Sequence, residues 1–279
     1  MMKKFEVENH EPSFLPEGEW ELTWNDEFDG NEVDRSKWDY RLHMMGNRWM
    51  SWTDKGVHLD GKGNAVFTLL NEDGQLRCSQ LQTGYNYMDQ PANTEYYMAN
   101  TTDQGGEKLQ WKIGPMKKSI FLHGPGYYEC RCCLQQKDGW WSAFWIQSPV
   151  IGCDLDEKFS GVEIDIMESF NPGSINGHNV FTGGYGQDLR RIKVGGMEGV
   201  STDEFHRFGL LWDETGYTYF VDGVENGKIE DFFCDYPLFI LISTEVKGYR
   251  KEQHVPSPEA FEAVGDTFLV DYVRVFEKR

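Results

Sequence analysis

The chain has 279 residues, enough for one large domain with a sizeable core. Its 46 Asp and Glu against 27 Lys and Arg give a formal net charge of −19. That balance argues against nucleic acid, whose binding rests on neutralising phosphates with a basic face, and against an anionic membrane surface, while a neutral polymer is not disfavoured.

Residues 1–17 are polar, carry Pro12 and Pro16, and read as an arm ahead of a single domain over 18–279. They lack the apolar centre of a secretory leader, which fits a cytoplasmic chain or one whose leader has been removed. No run of about 18 apolar residues marks a membrane-spanning helix. From Trp20 onward, short apolar or alternating runs recur between Gly, Asn and Asp turns: "EWELTW", "NAVFTLL", "YYECRCCLQ", "SAFWIQS", "VEIDIMES", "FHRFGLLW", "YTYFVDG", "LFILISTEV" and "FLVDYVRVFE". Their period is near two, the period of strands rather than helices. Asp222-Gly223 sits where a tight hairpin turn needs positive φ. One short helix is expected in "SPEAFEAVG" at 257–265. The segments 84–112 and 248–266 are long, polar and irregular, the kind of loop that shapes a binding face. The expected fold is all-β, a sandwich of two antiparallel sheets. Six cysteines include the adjacent Cys132 and Cys133, a poor disulfide framework, so free and mostly buried thiols are expected. There is no CxxC and no zinc site is anticipated.

The stretch "GVEIDIMESF" places Glu163, Asp165 and Glu168 in what otherwise reads as a buried strand. Alternation puts Glu163 and Asp165 on one face and Ile164 and Ile166 on the other. Continued regularly, it would drive Glu168 into the apolar side, at high cost for an unpaired charge. One extra residue, a β-bulge, resets the alternation and returns Glu168 to the carboxylate face. Like charges so close raise one or more of their pKa values. Such a set suits a retaining glycosidase, in which one carboxylate attacks the anomeric carbon and another, held protonated, donates to the leaving oxygen. The competing readings are a charged strand face in a lectin-like sandwich and a cation site.

"EIDIME" resembles the E-x-D-x-x-E signature of glycoside hydrolase family 16 in its bulged, laminarinase- and agarase-like form. "WELTWNDEFDG", "DRSKWDY", "GPGYYECRCCLQQKDGWWSAFWIQS", "EFHRFGLLWDETGYTYFVDG" and "FLVDYVRVFE" resemble other parts of that family in the same order, over roughly residues 20–277. The resemblance implies a concanavalin A-like β-jelly-roll with a cleft on the concave sheet. It makes Glu163 the nucleophile, Asp165 the assisting carboxylate and Glu168 the acid/base. It implies that Trp140 and Trp145 line the cleft, with Trp141 equally suited to the core. It also implies sugar contacts by His178, and by Asn47, Arg48 and Trp49. Asp271 matches the position that helps hold a structural calcium ion in relatives; catalysis itself needs no cofactor. Arg190, Arg191 and Lys193 form a basic patch that would suit sulfated or carboxylated sugars, or simply a solvated hairpin. The expected activity is endo hydrolysis of β-1,3-glucan or derived oligosaccharides by a monomer. The alternatives are a β-galactan (agar, porphyran, carrageenan or host glycan) hydrolase, a transglycosylase and a non-catalytic carbohydrate-binding protein.

Overall fold

The computed structural model describes residues 2–44, 46–87, 97–102, 108–113, 117–154, 156–185, 188–230, 234–251 and 254–279. Among these, fifteen strands build two large antiparallel sheets. In chain order they are β1 (Trp20–Asp26), β2 (Asp39–Tyr40), β3 (Val57–Leu59), β4 (Ala65–Thr68), β5 (Gln80–Gln82), β6 (Gly126–Cys133), β7 (Trp140–Gln147), β8 (Glu163–Ser169), β9 (His178–Thr182), β10 (Arg190–Val194), β11 (His206–Asp213), β12 (Gly216–Val221), β13 (Val224–Glu230), β14 (Phe239–Val246) and β15 (Thr267–Lys278). The cleft-bearing sheet runs β10-β9-β8-β7-β14-β5-β2. The opposite sheet runs β13-β12-β11-β6-β15-β4-β3, with β1 also paired to the long β15. Sequence neighbours thus pair as hairpins at one edge of each sheet, whereas β7 meets β14 across almost a hundred residues, as a jelly-roll requires.

The core lies between the sheets and follows from strict alternation. Phe144, Ile146, Ile164, Val180, Ile240 and Ile242 of one sheet face Tyr128, Cys130, Phe208, Leu210, Tyr217 and Val273 of the other, all fully buried. Asp222 and Gly223, at φ 50° and 77°, join Val221 to Val224 as the expected two-residue hairpin turn. The short helix α2 spans Pro258–Glu262, inside the expected stretch; a one-turn helix α1 at Glu157–Ser160 was not expected. All six cysteines are free, and five of them are buried. Among the described residues, no helix is long and apolar enough to cross a membrane.

Two expectations need revision. Within 84–112, Tyr97–Thr102 and Lys108–Ile113 pair as antiparallel strands rather than forming irregular coil, while 88–96 and 103–107 lie outside the described residues. The amino-terminal arm docks on the domain. Lys3–Phe5 and Ser13–Leu15 form a hairpin whose Leu15 packs with Tyr127, Phe220 and Phe276 on the outer face of the second sheet. Behind it the Phe14 amide donates to the buried Glu129 at 3.0 Å, and Arg274 donates to the Glu11 carbonyl and to Ser13.

Candidate active site

β8 carries the three carboxylates, and its pairing with β7 slips by one residue. Phe144 faces Met167 while Trp145 faces Asp165, so Ile166 is the extra residue of a bulge. Ile164, Ile166 and Met167 all lie in the core, two of them consecutive. Glu163, Asp165 and Glu168 consequently line one wall of a cleft of ≈ 480 Å³, a volume typical of sites that enclose a small ligand. The bulge carbonyl is taken by a neighbouring strand: His178 Nδ1 lies 2.7 Å from Ile166 O.

The three acids have different surroundings. Glu163 Oε2 accepts from Gln147 Nε2 at 2.8 Å and from the Tyr185 hydroxyl. Burial raises its pKa, and those two hydrogen bonds, with Arg41 and Arg250 nearby, pull it back. Asp165 is almost fully buried; burial, then the charges of Glu168 and Glu163, push its pKa well above the usual carboxylate range. Its carboxyl hydrogen-bonds Glu168, and burial beside two other acids favours its protonated form. Asn179 Nδ2 bridges the pair, 2.9 Å from Asp165 Oδ2 and 3.2 Å from Glu168 Oε2. Arg191 Nε donates to Asn179 Oδ1 at 2.8 Å, which fixes the amide the right way round. Burial raises the Glu168 pKa to about 7, where a carboxyl group can both give and take a proton near neutrality. Three acids in three different electrostatic settings thus stand side by side.

Aromatic and cationic side chains complete the walls. On β7 the cleft face carries Trp141, Ala143, Trp145 and Gln147, every second residue. Trp145 Nε1 donates to Ser243 Oγ at 2.9 Å, and Trp141 lies 5.3 Å from Phe170 between ring centroids. Arg41 lies over both Trp52 and Trp145, 5.0 and 5.2 Å from their ring centroids. Glu245, buried on β14, accepts from Ser51, Trp52 and Arg250. Arg250 comes from the 248–266 loop, which therefore does shape the cleft.

Several expected contacts lie elsewhere. Trp140 is fully buried, its Nε1 donating to Asp266 at 3.0 Å, because it is five residues from Trp145 and an odd spacing on a regular strand reverses the face. Trp141 takes the cleft position instead. His178 is also fully buried, stacked on Tyr219 with centroids 4.4 Å apart and bound through Nε2 to Asn226; its neighbour Asn179 faces the acids. Asn47 and Arg48 are exposed on a two-residue strand paired with His43–Met44, outside the ring of cleft residues. Trp49 packs beside Trp52 and His254, and from that region Arg41 and Met44 reach the cleft. Asp271 lies on β15 with one oxygen held by Arg131 at 2.6 Å. Among the described residues, no three His, Cys, Asp or Glu side chains gather closely enough to hold a metal ion.

The family model "Glycosyl hydrolases family 16" matches residues 51–232, nearly two thirds of the chain. The chain belongs to glycosyl hydrolases family 16. A curated relative, glucan endo-1,3-beta-glucosidase A1 of Niallia circulans, is 26% identical over 283 residues, covering 92% of this chain. The chain spans only 38% of that relative's length. Among solved structures, the laminarinase of Rhodothermus marinus superposes with a TM-score of 0.66 at 23% identity, covering 94% of this chain and 98% of its own. A non-specific endo-beta-1,3(4)-glucanase of the same family superposes with a TM-score of 0.65 at 19% identity, covering 100% of this chain and 95% of its own. These superpositions establish that the family 16 jelly-roll is the fold of this chain.

Proposed function

We propose that the protein is a retaining, endo-acting β-glycan hydrolase whose main substrate is β-1,3-glucan. The observation that carries this reading is the bulge at Ile166, which turns Glu168 onto the same cleft wall as Glu163 with the hydrogen-bonded Asp165 between them. Glu163 attacks the anomeric carbon while Glu168 protonates the departing oxygen; water then releases the sugar as Glu168 takes back a proton. Asp165 keeps Glu168 oriented and limits repulsion between the two glutamates. Trp141 and Trp145 offer apolar surface with a polar edge to sugar rings. The glucan preference is supported by the name of the curated relative.

The test is a panel of laminarin, lichenan, agarose, porphyran, carrageenan and mucin glycans, with products read by mass and the first-formed anomer by proton NMR. The expected result is release of laminarin oligosaccharides with β reducing ends. Initial α products, or no cleavage of any polymer by folded protein, would refute the assignment. A second reading rests on Arg41, Arg191 and Arg250, three guanidinium groups at the cleft of an otherwise acidic chain. They favour a sulfated or carboxylated glycan, and cleavage confined to porphyran or carrageenan would select it.

A further inference from the structure

We propose that Tyr185 is a positioning residue for Glu163, holding one carboxylate oxygen through both halves of the reaction and leaving the other free to attack. The inference rests on the nucleophilic role proposed above. Tyr185 Oη donates to Glu163 Oε2, and Gln147 Nε2 contacts both Oη and Oε2, closing a triangle of polar atoms. Among the described residues, no donor reaches Glu163 Oε1. The carboxylate therefore has one restrained oxygen and one available oxygen.

Tyr185 lies between β9 and β10, directly after two glycines set by close contacts. Gly183 and Gly184 precede it at φ 74° and 79°, and a Cβ on Gly183 would lie 2.1 Å from the Asp188 carbonyl oxygen. Gly152 presses on the same loop, since its Cβ would meet Gly184 Cα at 2.4 Å. Only glycine satisfies the positive φ and the close approach at Gly183, two residues before the phenol.

The chemistry gives the two oxygens different tasks. In the first step Oε1 bonds to the anomeric carbon, the bond to the departing sugar breaks with its electron pair, and Glu168 supplies the proton. Oε2 becomes the carbonyl oxygen of the resulting ester, still facing the phenol. In the second step water adds to the anomeric carbon, Glu168 accepts its proton, and the electron pair of the breaking bond returns to Glu163. The Tyr185 hydroxyl stabilises the charge that reappears. Its loss should therefore slow release of the sugar more than its capture.

Tyr185→Phe removes the hydroxyl and keeps the ring. On an activated aryl β-glycoside, kcat should fall roughly 10- to 100-fold, as for one lost hydrogen bond to a charged group, with KM falling as well because the covalent intermediate accumulates. A pre-steady-state burst of the aryl alcohol should appear. The acid limb of kcat/KM should move to higher pH, because the ionised Glu163 has lost a donor. An unshifted limb without a burst, in a variant that melts like wild type, overturns the inference. Should Tyr185→Phe disturb folding, 3-fluorotyrosine at 185 keeps the shape with a more acidic phenol; the acid limb should then move to lower pH, and no movement overturns the inference. Labelling wild type with a 2-deoxy-2-fluoroglycosyl fluoride separates the two levels of argument. A label on Glu163 with an inert Tyr185→Phe defeats only this proposal, whereas a label on another residue defeats the nucleophile assignment as well.

Discussion

Two groups of buried charge lie on opposite sheets, and they are built in opposite ways. Behind the second sheet, Glu27 receives Arg274 through both oxygens, at 2.9 and 2.7 Å, and Asp271 receives Arg131. Glu129 is held by the Phe14 amide, Tyr272 and Tyr127, with the Arg207 guanidinium nearby. Each of these acids has its own donors, which offset part of the burial that raises the pKa of Glu129 and Asp271. In the cleft, Glu163, Asp165 and Glu168 are placed against one another, and amides and a phenol fill the gaps. Compensated charge holds the amino-terminal hairpin to the domain. Uncompensated charge makes protons cheap to move, which is what acid/base chemistry requires.

The contrast can be broken from either side. The largest effect should come from Glu163→Ala: hydrolysis falls on the order of 10⁴-fold or more while the melting temperature holds or rises, since a crowded acid has gone. Rates and calorimetry on one preparation check this, and a collapse in stability would make the cleft acids part of the scaffold. Arg274→Met should do the reverse. Stranding Glu27 costs about 3–5 kcal/mol by urea titration, with unchanged turnover per folded molecule. Within the dipeptide Trp140-Trp141 the same division should appear at finer scale. Trp140→Ala opens a core cavity worth about 3–5 kcal/mol. Trp141→Ala should raise KM roughly 3- to 10-fold with little loss of stability, the scale of one aromatic contact.

The smallest signal is a pH drift. The ionised form of Glu168 is disfavoured in the fold, so its pKa rises from 4.5 to about 7. Between those values the unfolded chain has released a proton that the folded chain retains. Stability therefore falls as pH rises through that window, opposite to the usual salt-bridged carboxylate. Glu168→Gln should flatten that slope, and parallel melting curves from pH 4 to 8 for the two proteins would show it. In wild type, kcat/KM should decline above about pH 7 as Glu168 loses its proton.

Much of this division is readable in the amino acids alone. The bulge follows from a conflict internal to "EIDIMES": regular alternation would bury Glu168, and only an extra residue avoids it. The β-sandwich follows from recurring two-residue periodicity. The cleft tryptophans were half legible, since Trp141, Trp145 and Gln147 share parity whereas Trp140 and Trp145 do not. His178 and Asn179 were not separable that way, because a strand of unknown register offers either neighbour to either face; pairing of Asn179 with Asp165 decides it. Tyr185 lies on a loop, where no periodicity applies. The hairpin at residues 3–15 docks through scattered contacts, Leu15 and Phe5 on Phe276 and its backbone on Glu129 and Arg274, with no periodic pattern to announce them.

The doubled inward contact of Ile166 and Met167 bears on how such a site could be rebuilt. Removing either residue would restore an evenly alternating strand, and all three acids would still emerge on the same wall. What would change is the setting of the Ile166 carbonyl, the anchor that His178 grips from the next strand. A shortened version would keep its chemical groups yet lose the latch that sets their pitch, so trimming this scaffold calls for a replacement tether as much as for the right acids.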